Sequence, residues 1–581
     1  MNGRYRNSPI PLGEINGTIG TMILERAIEW PDHAVFAYRD QSDYKRISWQ
    51  TFLWDIVSTV DFLHDHGVKK GDRIAVLSPN SYPMLVWEMA VTTMGAISVP
   101  IFAAYDTIHI DYILNHAEPV AILVDGVERL ARFEACSYRP FINTIVTSHE
   151  SSYTRFNECI SGGSCERYFQ WVKVVKPDDI CFLHYTSGTT GAPKGVMLSH
   201  RNIISQRKAH EKGWEIAYKS RFLSYLPWHH SYGGLFERFT ALYHGATIFL
   251  EDSFGRDIHR LIQNWNIVRP THFFSVPKIY RALVTESKLS PEIREILFHP
   301  ELKFVYTAAA PLPRECGEYF DSHNIPVLEG WGLTETSPTV TVTTPSRKRI
   351  HSYVGDPIPG CEILISEENE ILVKGPNIMK GYYKDPEKTA KSIDHYGWLH
   401  TGDMGELTDY GLKLMYRKDG LFKLSNGEKV FSQVVENALT ATSRWISFAV
   451  VFGSAEDFVA ALIFPNYRNL EDWAVKNNKT LPTGWELSRD PEIQALFRAE
   501  IDESMQELTP HYTHVKTFVI IPDELTIENG CLTPTMKVIR HHVAKIYKEW
   551  IYAIFRPVQH PDRLPYIVIR DTQSQAHYKK N

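Results

Sequence analysis

The chain has 581 residues, too many for one small binding module and enough for roughly four compact units at about 150 residues each. Apolar residues make up 43% and charged residues 22%, an ordinary globular balance with which the chain can bury a sizeable core and need not be disordered. Sixty-two basic against 68 acidic side chains leave a net charge of −6, which offers no global field for nucleic acid or an anionic membrane. The seven cysteines include no Cys-x-x-Cys pair, which argues against a zinc finger or a disulfide framework. The first residues carry no apolar signal segment, so a cytoplasmic protein is expected.

From Lys69 the pattern alternates between β-rich runs and helices. Strands are expected at Arg73–Ser78, Ala96–Phe102 and Val120–Asp125, and helices at Tyr82–Thr93 and Ile108–His116. The apolar stretch Pro83–Tyr105 is long enough to span a bilayer, but Glu88, Gly95 and Pro100 interrupt it, so it reads as a buried helix followed by a buried strand. The grammar returns at Ile180–Thr186, Ala246–Glu251, Thr271–Val276 and Lys303–Ala308. Short strands with Gly and Pro turns fill the region from Tyr353 to Met415, and a separate unit follows with a helix after Ser432 and a helical insert at Asn469–Leu508.

The expected fold class is therefore α/β: a large N-terminal domain, 1–416, of two α/β layers (1–165 and 166–345) plus a β-rich subdomain (346–416). A small mobile α+β domain, 417–556, and a polar tail, 557–581, complete it.

The most informative segment is YTSGTTGAPKG, Tyr185–Gly195, directly after a predicted strand and running toward a helix start. Its glycines permit tight turns, its Ser and Thr hydroxyls are donors, and Lys194 places one positive charge, a composition suited to holding nucleotide phosphates. Gly195 follows the lysine, so the Walker spacing is excluded.

This segment resembles the phosphate-binding signature of the AMP-forming adenylate ligases, the superfamily of acyl-CoA synthetases. Five further signatures of that family follow in order: LPWHHSYG (Leu226–Gly233), GWGLTE (Gly330–Glu335), GWLHTGD (Gly397–Asp403), YRKDGLFKLSNGEKV (Tyr416–Val430) and LTPTMKVIR (Leu532–Arg540). The resemblance implies ATP-dependent activation of a fatty acid to acyl-AMP with release of pyrophosphate, then transfer to the thiol of CoA or, alternatively, of an acyl-carrier protein. LFERF after the histidine pair, the extra residue in KLSNGEKV and the insert at 469–508 resemble the long-chain fatty acid–CoA ligases in particular. The 71 Phe, Tyr and Trp residues would supply the lining of an acyl tunnel.

By the same resemblance Thr186, Ser187, Gly188, Thr189, Thr190, Gly191 and Lys194 hold phosphates, and Glu335 holds Mg²⁺ with Thr334 beside it. Trp331 and Gly332 lie against adenine, Asp403 and Arg417 meet the ribose, and His230 stands at the mouth of the acyl pocket. Lys537 reaches the acyl carboxylate and α-phosphate, Asp419 is the hinge, and Lys423 and Gly427 lie on the face used for thioester formation. Tyr416 stands where the family pattern has glycine, and Gly420 where an acidic residue is usual. A noncatalytic homologue would be expected to lose Lys194, Glu335, Asp403, Arg417 or Lys537, and all five are present. The aromatic run IYKEWIYAIF has too few basic residues for strong membrane anchoring; weak peripheral association and homo-oligomers stay open.

Overall fold

The structure is a computed structural model. It describes residues 4–186, 193–211, 213–308, 310, 312–345, 349–350, 352–441, 443–506, 508, 510–526, 529–533, 537–556 and 569–570. Contacts divide the chain into two units, one of 1–401 with 405–414 and one of 402–404 with the chain from Met415 onward.

The first unit contains two large sheets. One runs, edge to edge, through Gly381–Tyr382, Lys194–Ser199, Ile180–Thr186, Ile97–Ile101, Arg73–Leu77, Ala121–Val124, Thr144–Thr147 and Thr154–Arg155. Its neighbours from Ile180–Thr186 to Thr154–Arg155 are parallel, the arrangement that crossover helices produce. The other runs through Asp356–Pro357, Thr341–Val342, Val327–Trp331, Phe304–Thr307, His272–Ser275, Arg221–Ser224, Thr247–Leu250, Ala34–Asp40 and Asp43–Ser48. A smaller antiparallel sheet holds Tyr5–Asn7, Glu362–Ile365, Glu370–Lys374, Leu399–Thr408 and Gly411–Arg417.

This pairing corrects the division at 165. Strands Ile180–Thr186 and Lys194–Ser199 belong to the first sheet, while Ala34–Asp40 and Asp43–Ser48 belong to the second. The β-rich region also lends strands to both: Gly381–Tyr382 to one edge and Asp356–Pro357 to the other. Alternation identifies strands from local spacing, whereas partners are chosen by contacts between distant segments, which spacing does not encode.

The stretch Pro83–Tyr105 is a buried helix, Tyr82–Thr93, followed by the strand Ile97–Ile101. Ser81 caps the helix by accepting from the Met84 amide, Pro83 occupies its first turn, and every residue from Met84 to Thr93 is buried. Glu88, the charge that broke the hydropathy run, pairs with Arg238, both side chains being fully buried. No helix among the described residues is long and apolar enough to cross a membrane.

The second unit has a hairpin, Leu421–Lys423 with Lys429–Phe431, and a sheet ordered Ile446–Phe452, Val459–Pro465, Val515–Ile520 and Ile569–Arg570. Helices Tyr467–Lys476, Trp485–Arg489 and Pro491–Met505 form the insert, packing Leu470, Leu487, Phe497 and Ile501 into the core of this unit. The tail reading needs one correction: Ile569–Arg570 is a strand antiparallel to Thr517–Phe518. The short β-branched run in YIVIR was the available signal, outweighed by the prolines before it. The rest of 557–581 lies outside the described residues. The aromatic helix Lys548–Phe555 buries Ala553, Ile554 and Phe555 against the same sheet, which accounts for its apolar face. All seven cysteines are free thiols, six of them buried.

Candidate active site

In the first unit the phosphate-loop segment joins two antiparallel strands, with Thr186 opposite Lys194 and Tyr185 opposite Gly195. The expected passage from loop to helix is thus interrupted by the strand Lys194–Ser199; the helix starts at His200, capped by Ser199. Ser187, Gly188, Thr189, Thr190 and Gly191 lie outside the described residues. The flanks are fixed: Tyr112 Oη donates to the Pro193 carbonyl at 3.1 Å, and Tyr185 Oη lies 2.7 Å from His116 Nδ1.

Lys194 Nζ lies 5.4 Å from the ring centroid of Tyr382, whose hydroxyl donates to Glu335 Oε1 at 2.8 Å. Tyr382 thus brings the candidate phosphate lysine and the candidate metal carboxylate to opposite parts of one side chain. Sequence reasoning missed it, since nothing distinguishes Tyr382 from the other 28 tyrosines until Gly381–Tyr382 pairs with Val196 and Met197.

Glu335 sits in the 3-10 turn Thr334–Thr336, just after the strand Val327–Trp331. Thr336 Oγ1 accepts from the Leu333 amide at 2.8 Å, and the Met379 amide donates to the Glu335 carbonyl at 2.9 Å. Asn377 Nδ2 donates to the Thr336 and Thr339 carbonyls, each at 3.1 Å. Gly332 is required by close approach: a Cβ there would lie 1.8 Å from the Pro338 carbonyl oxygen. Trp331 is nearly buried, at 8% exposure, and ends its strand beside this turn.

Thr334 Oγ1 is 3.0 Å from Ser231 Oγ, so the turn touches the segment after the histidine pair. His230 caps the π-helical turn Ser231–Glu237, its Nδ1 accepting from the Tyr232 amide at 3.2 Å, which puts the proton of the neutral ring on Nε2. His229 is half-buried with its ring 4.3 Å (centroid to centroid) from that of Phe102, and desolvation, then His230, drives its pKa far down. Burial likewise lowers His184 to about 3, so both rings are neutral. Gly234 allows the π turn to press on the preceding loop, since a Cβ would sit 1.8 Å from the Trp228 carbonyl oxygen. Asn80 holds that loop, donating to the Leu226 carbonyl and accepting from the Trp228 amide, both at 2.8 Å.

The remaining candidates lie in the second unit. Arg417 Nε is 3.1 Å from Asp403 Oδ1; the Asp403 side chain is 12% exposed and that of Arg417 42%. Tyr416, where the family pattern has glycine, lies in the strand Gly411–Arg417, so its backbone is extended. Asp419 and Gly420 lie in the 3-10 turn Lys418–Gly420. Lys423 ends the strand Leu421–Lys423 opposite Lys429, and Gly427 forms the turn of that hairpin, donating to the Leu424 carbonyl at 2.9 Å. Exposed Lys537 is set by its backbone: its amide donates to Thr533 Oγ1 at 3.0 Å and its carbonyl accepts from the Thr533 amide at 2.7 Å.

Among the described residues no cluster of three or more His, Cys, Asp or Glu side chains could cage a metal ion. A single carboxylate with one oxygen engaged by a tyrosine fits Mg²⁺, which takes few protein ligands and completes its shell with phosphate oxygens and water.

Residues 24–383 match the model of the AMP-binding enzyme family, and residues 419–559 match that of the AMP-binding enzyme C-terminal domain. The chain is 27% identical to the peroxisomal long chain acyl-CoA synthetase 7 of Arabidopsis thaliana, covering 86% of this chain and 80% of that protein. It is 24% identical to the long-chain-fatty-acid–CoA ligase FadD15 of Mycobacterium tuberculosis, covering 94% and 98%. Among solved structures, ATP-bound MatB from Rhodopseudomonas palustris shares the fold, with a TM-score of 0.75 at 20% identity over 92% of this chain and 100% of that one.

Proposed function

The chain belongs to the AMP-binding enzyme family, and from that premise we propose that it is a long-chain fatty acid–CoA ligase working through an acyl-adenylate. The carrying observation is the convergence of Lys194 and Glu335 on Tyr382 within the matched region. Likeness to long-chain acyl-CoA synthetases over most of both chains supports the acid class and CoA as acceptor.

The fatty acid carboxylate attacks the α-phosphorus of ATP and the bond to pyrophosphate breaks. The work of the protein is to place charge and exclude water rather than to supply a nucleophile. Lys194, with Thr186 and the glycine-rich residues up to Gly191, holds the leaving phosphates. Glu335 would hold Mg²⁺, which would neutralise phosphate charge, while Tyr382 engages Glu335 Oε1. Trp331 and Gly332 border the adenine, and Asp403 accepts from the ribose hydroxyls while Arg417 fixes its orientation. Lys537 neutralises charge on the carboxylate and α-phosphate as the new bond forms. A CoA thiol then attacks the acyl carbon and AMP departs.

Lys537 cannot serve both steps if the thiol enters from its side. The small domain, from Arg417 onward, turns about Asp419 and replaces Lys537 by the face bearing Lys423 and Gly427. Seven unpaired thiols support a reducing, cytoplasmic setting. ATP–pyrophosphate exchange with straight-chain acids of graded length, followed by thioester formation with CoA and with a phosphopantetheinylated carrier protein, tests the reading. Exchange greatest with long acids and thioester formed with CoA support it. Exchange without thioester on CoA assigns the carrier thiol instead, and no exchange with any acid refutes it.

A further inference from the structure

The helix His200–His210 lies between the two pieces of the site described in the first unit, and two of its side chains touch both. Gln206 is fully buried and uses its whole amide: Nε2 donates to the Thr336 carbonyl at 2.8 Å and to the Thr339 carbonyl, while Oε1 accepts from the Thr339 amide and from Arg207 Nη2, each at 3.2 Å. Four bonds on one amide fix its orientation, and through it the loop that closes the Glu335 turn.

Arg207, 1% exposed, donates from Nη1 to the Phe236 carbonyl at 3.0 Å and to Thr240 Oγ1, and its guanidinium stacks 4.6 Å from the Phe236 ring. Phe236 belongs to the π-helical turn that follows His230. A π turn leaves backbone carbonyls poorly served by its own ladder, and a buried guanidinium with a planar fork is suited to satisfy one of them while reaching a second acceptor. The two regions meet directly at Ser231 and Thr334; the pair Arg207–Gln206 forms a second, buried connection.

We propose that Gln206 and Arg207 are positioning residues that make the π turn after His230, which the ligase reading places beside the acyl chain, and the Glu335 turn move as one body, so that a long chain packed against the first sets Glu335 for adenylation. The inference rests on the fatty acid ligase reading above. Neither residue touches substrate; Gln206 acts through Thr336 and Thr339, and Arg207 acts through Gln206.

The test measures kcat and KM of pyrophosphate formation with sixteen-carbon and eight-carbon acids, with Mg²⁺ titrated, in the full chain and in Gln206→Met, Arg207→Met and Arg207→Lys. The full chain is expected to turn over the longer acid at least about tenfold faster. Gln206→Met is expected to lower kcat by about tenfold to a hundredfold and raise the Mg²⁺ needed for half-saturation, with KM for the acid changed less than about threefold. Arg207→Lys keeps a buried cation and a donor for Phe236 but loses the planar bridge to Gln206. It is expected to reduce the long-to-short kcat ratio to about twofold or less while its melting temperature stays close to that of the full chain. If either methionine variant fails to fold, Arg207→Lys decides. Retention of the full long-to-short ratio in folded Arg207→Lys overturns the proposal. No turnover of any acid by the full chain instead refutes the ligase reading on which it rests.

Discussion

Replacing Gly332 by alanine tests whether the turn carrying Thr334 and Glu335 has to stay where it is. The new Cβ would stand 1.8 Å from the Pro338 carbonyl oxygen, 2.8 Å from its carbon and 2.9 Å from Thr336 Oγ1, against a floor of 3.0 Å, so backbone must yield by about 1.2 Å. The yielding segment is pinned by Gln206 and Asn377 on the Thr336 and Thr339 carbonyls, so the strain reaches the catalytic turn rather than dissipating in solvent. Overpacking of this kind costs about 1–3 kcal/mol of stability, which a domain this large tolerates. A misplacement of about 1 Å at the reacting groups costs about a hundredfold in rate. ATP–pyrophosphate exchange at saturating acid should therefore fall by about two orders of magnitude in a protein that still unfolds cooperatively. Gly234→Ala is the matched control, because its Cβ meets the Trp228 carbonyl oxygen at the same 1.8 Å but on the acyl side. It should raise KM for the acid and leave KM for ATP nearly unchanged. Wild-type exchange in Gly332→Ala, or the same kinetic pattern in both variants, would show that the position of this turn does not control adenylation.

Lys537→Ala should abolish acyl-AMP formation while leaving thioester formation from supplied acyl-AMP largely intact; equal loss of both steps in separate half-reaction assays would contradict the division of labour. Asp403→Asn removes the charge beside Arg417 Nε and should raise KM for ATP about tenfold to a hundredfold, with kcat changed less, in steady-state kinetics; an unchanged KM removes Asp403 from the nucleotide site. The buried histidines predict acid lability. Burial lowers His184, His200 and His272 to about 3 and His244 and His299 to about 4, so the unfolded chain binds their protons first as pH falls below about 6.5. Their neutral, buried state is fully compatible with folding above that pH, and each contributes a loss approaching about 1.4 kcal/mol per pH unit below it, until its folded pKa is reached. Urea midpoints should drop steeply between pH 7 and pH 5; a flat profile would show that these rings are hydrated or paired in the fold.

Local elements were readable because local causes make them. The helix at 82–93 announces itself by Ser81 and Pro83, and its continuous apolar run follows from burial on every side. The partners of the strands were not readable: nothing near Ala34 says that it pairs beyond Thr247, and nothing near Ile180 says that it lies beside Ile97. The chemistry-bearing residues Lys194, Glu335, Asp403 and Arg417 stood out through motif spacing. Their supports did not, because Tyr382, Gln206, Arg207 and Asn377 act only after distant segments meet, and a buried glutamine or arginine reads in sequence as a solvated surface residue. Glu88 shows the same limit, a charge that excluded a membrane span and proved to be half of a buried ion pair.

The central claim is that the carboxylate of the acid itself attacks the α-phosphorus of ATP. Supplying a long-chain acid labelled with ¹⁸O in both carboxylate oxygens, with MgATP and CoA, and weighing the products by mass spectrometry tests this most directly. AMP should carry one ¹⁸O and acyl-CoA the other, with unlabelled pyrophosphate. Label in inorganic phosphate together with ADP, or unlabelled AMP, would contradict it.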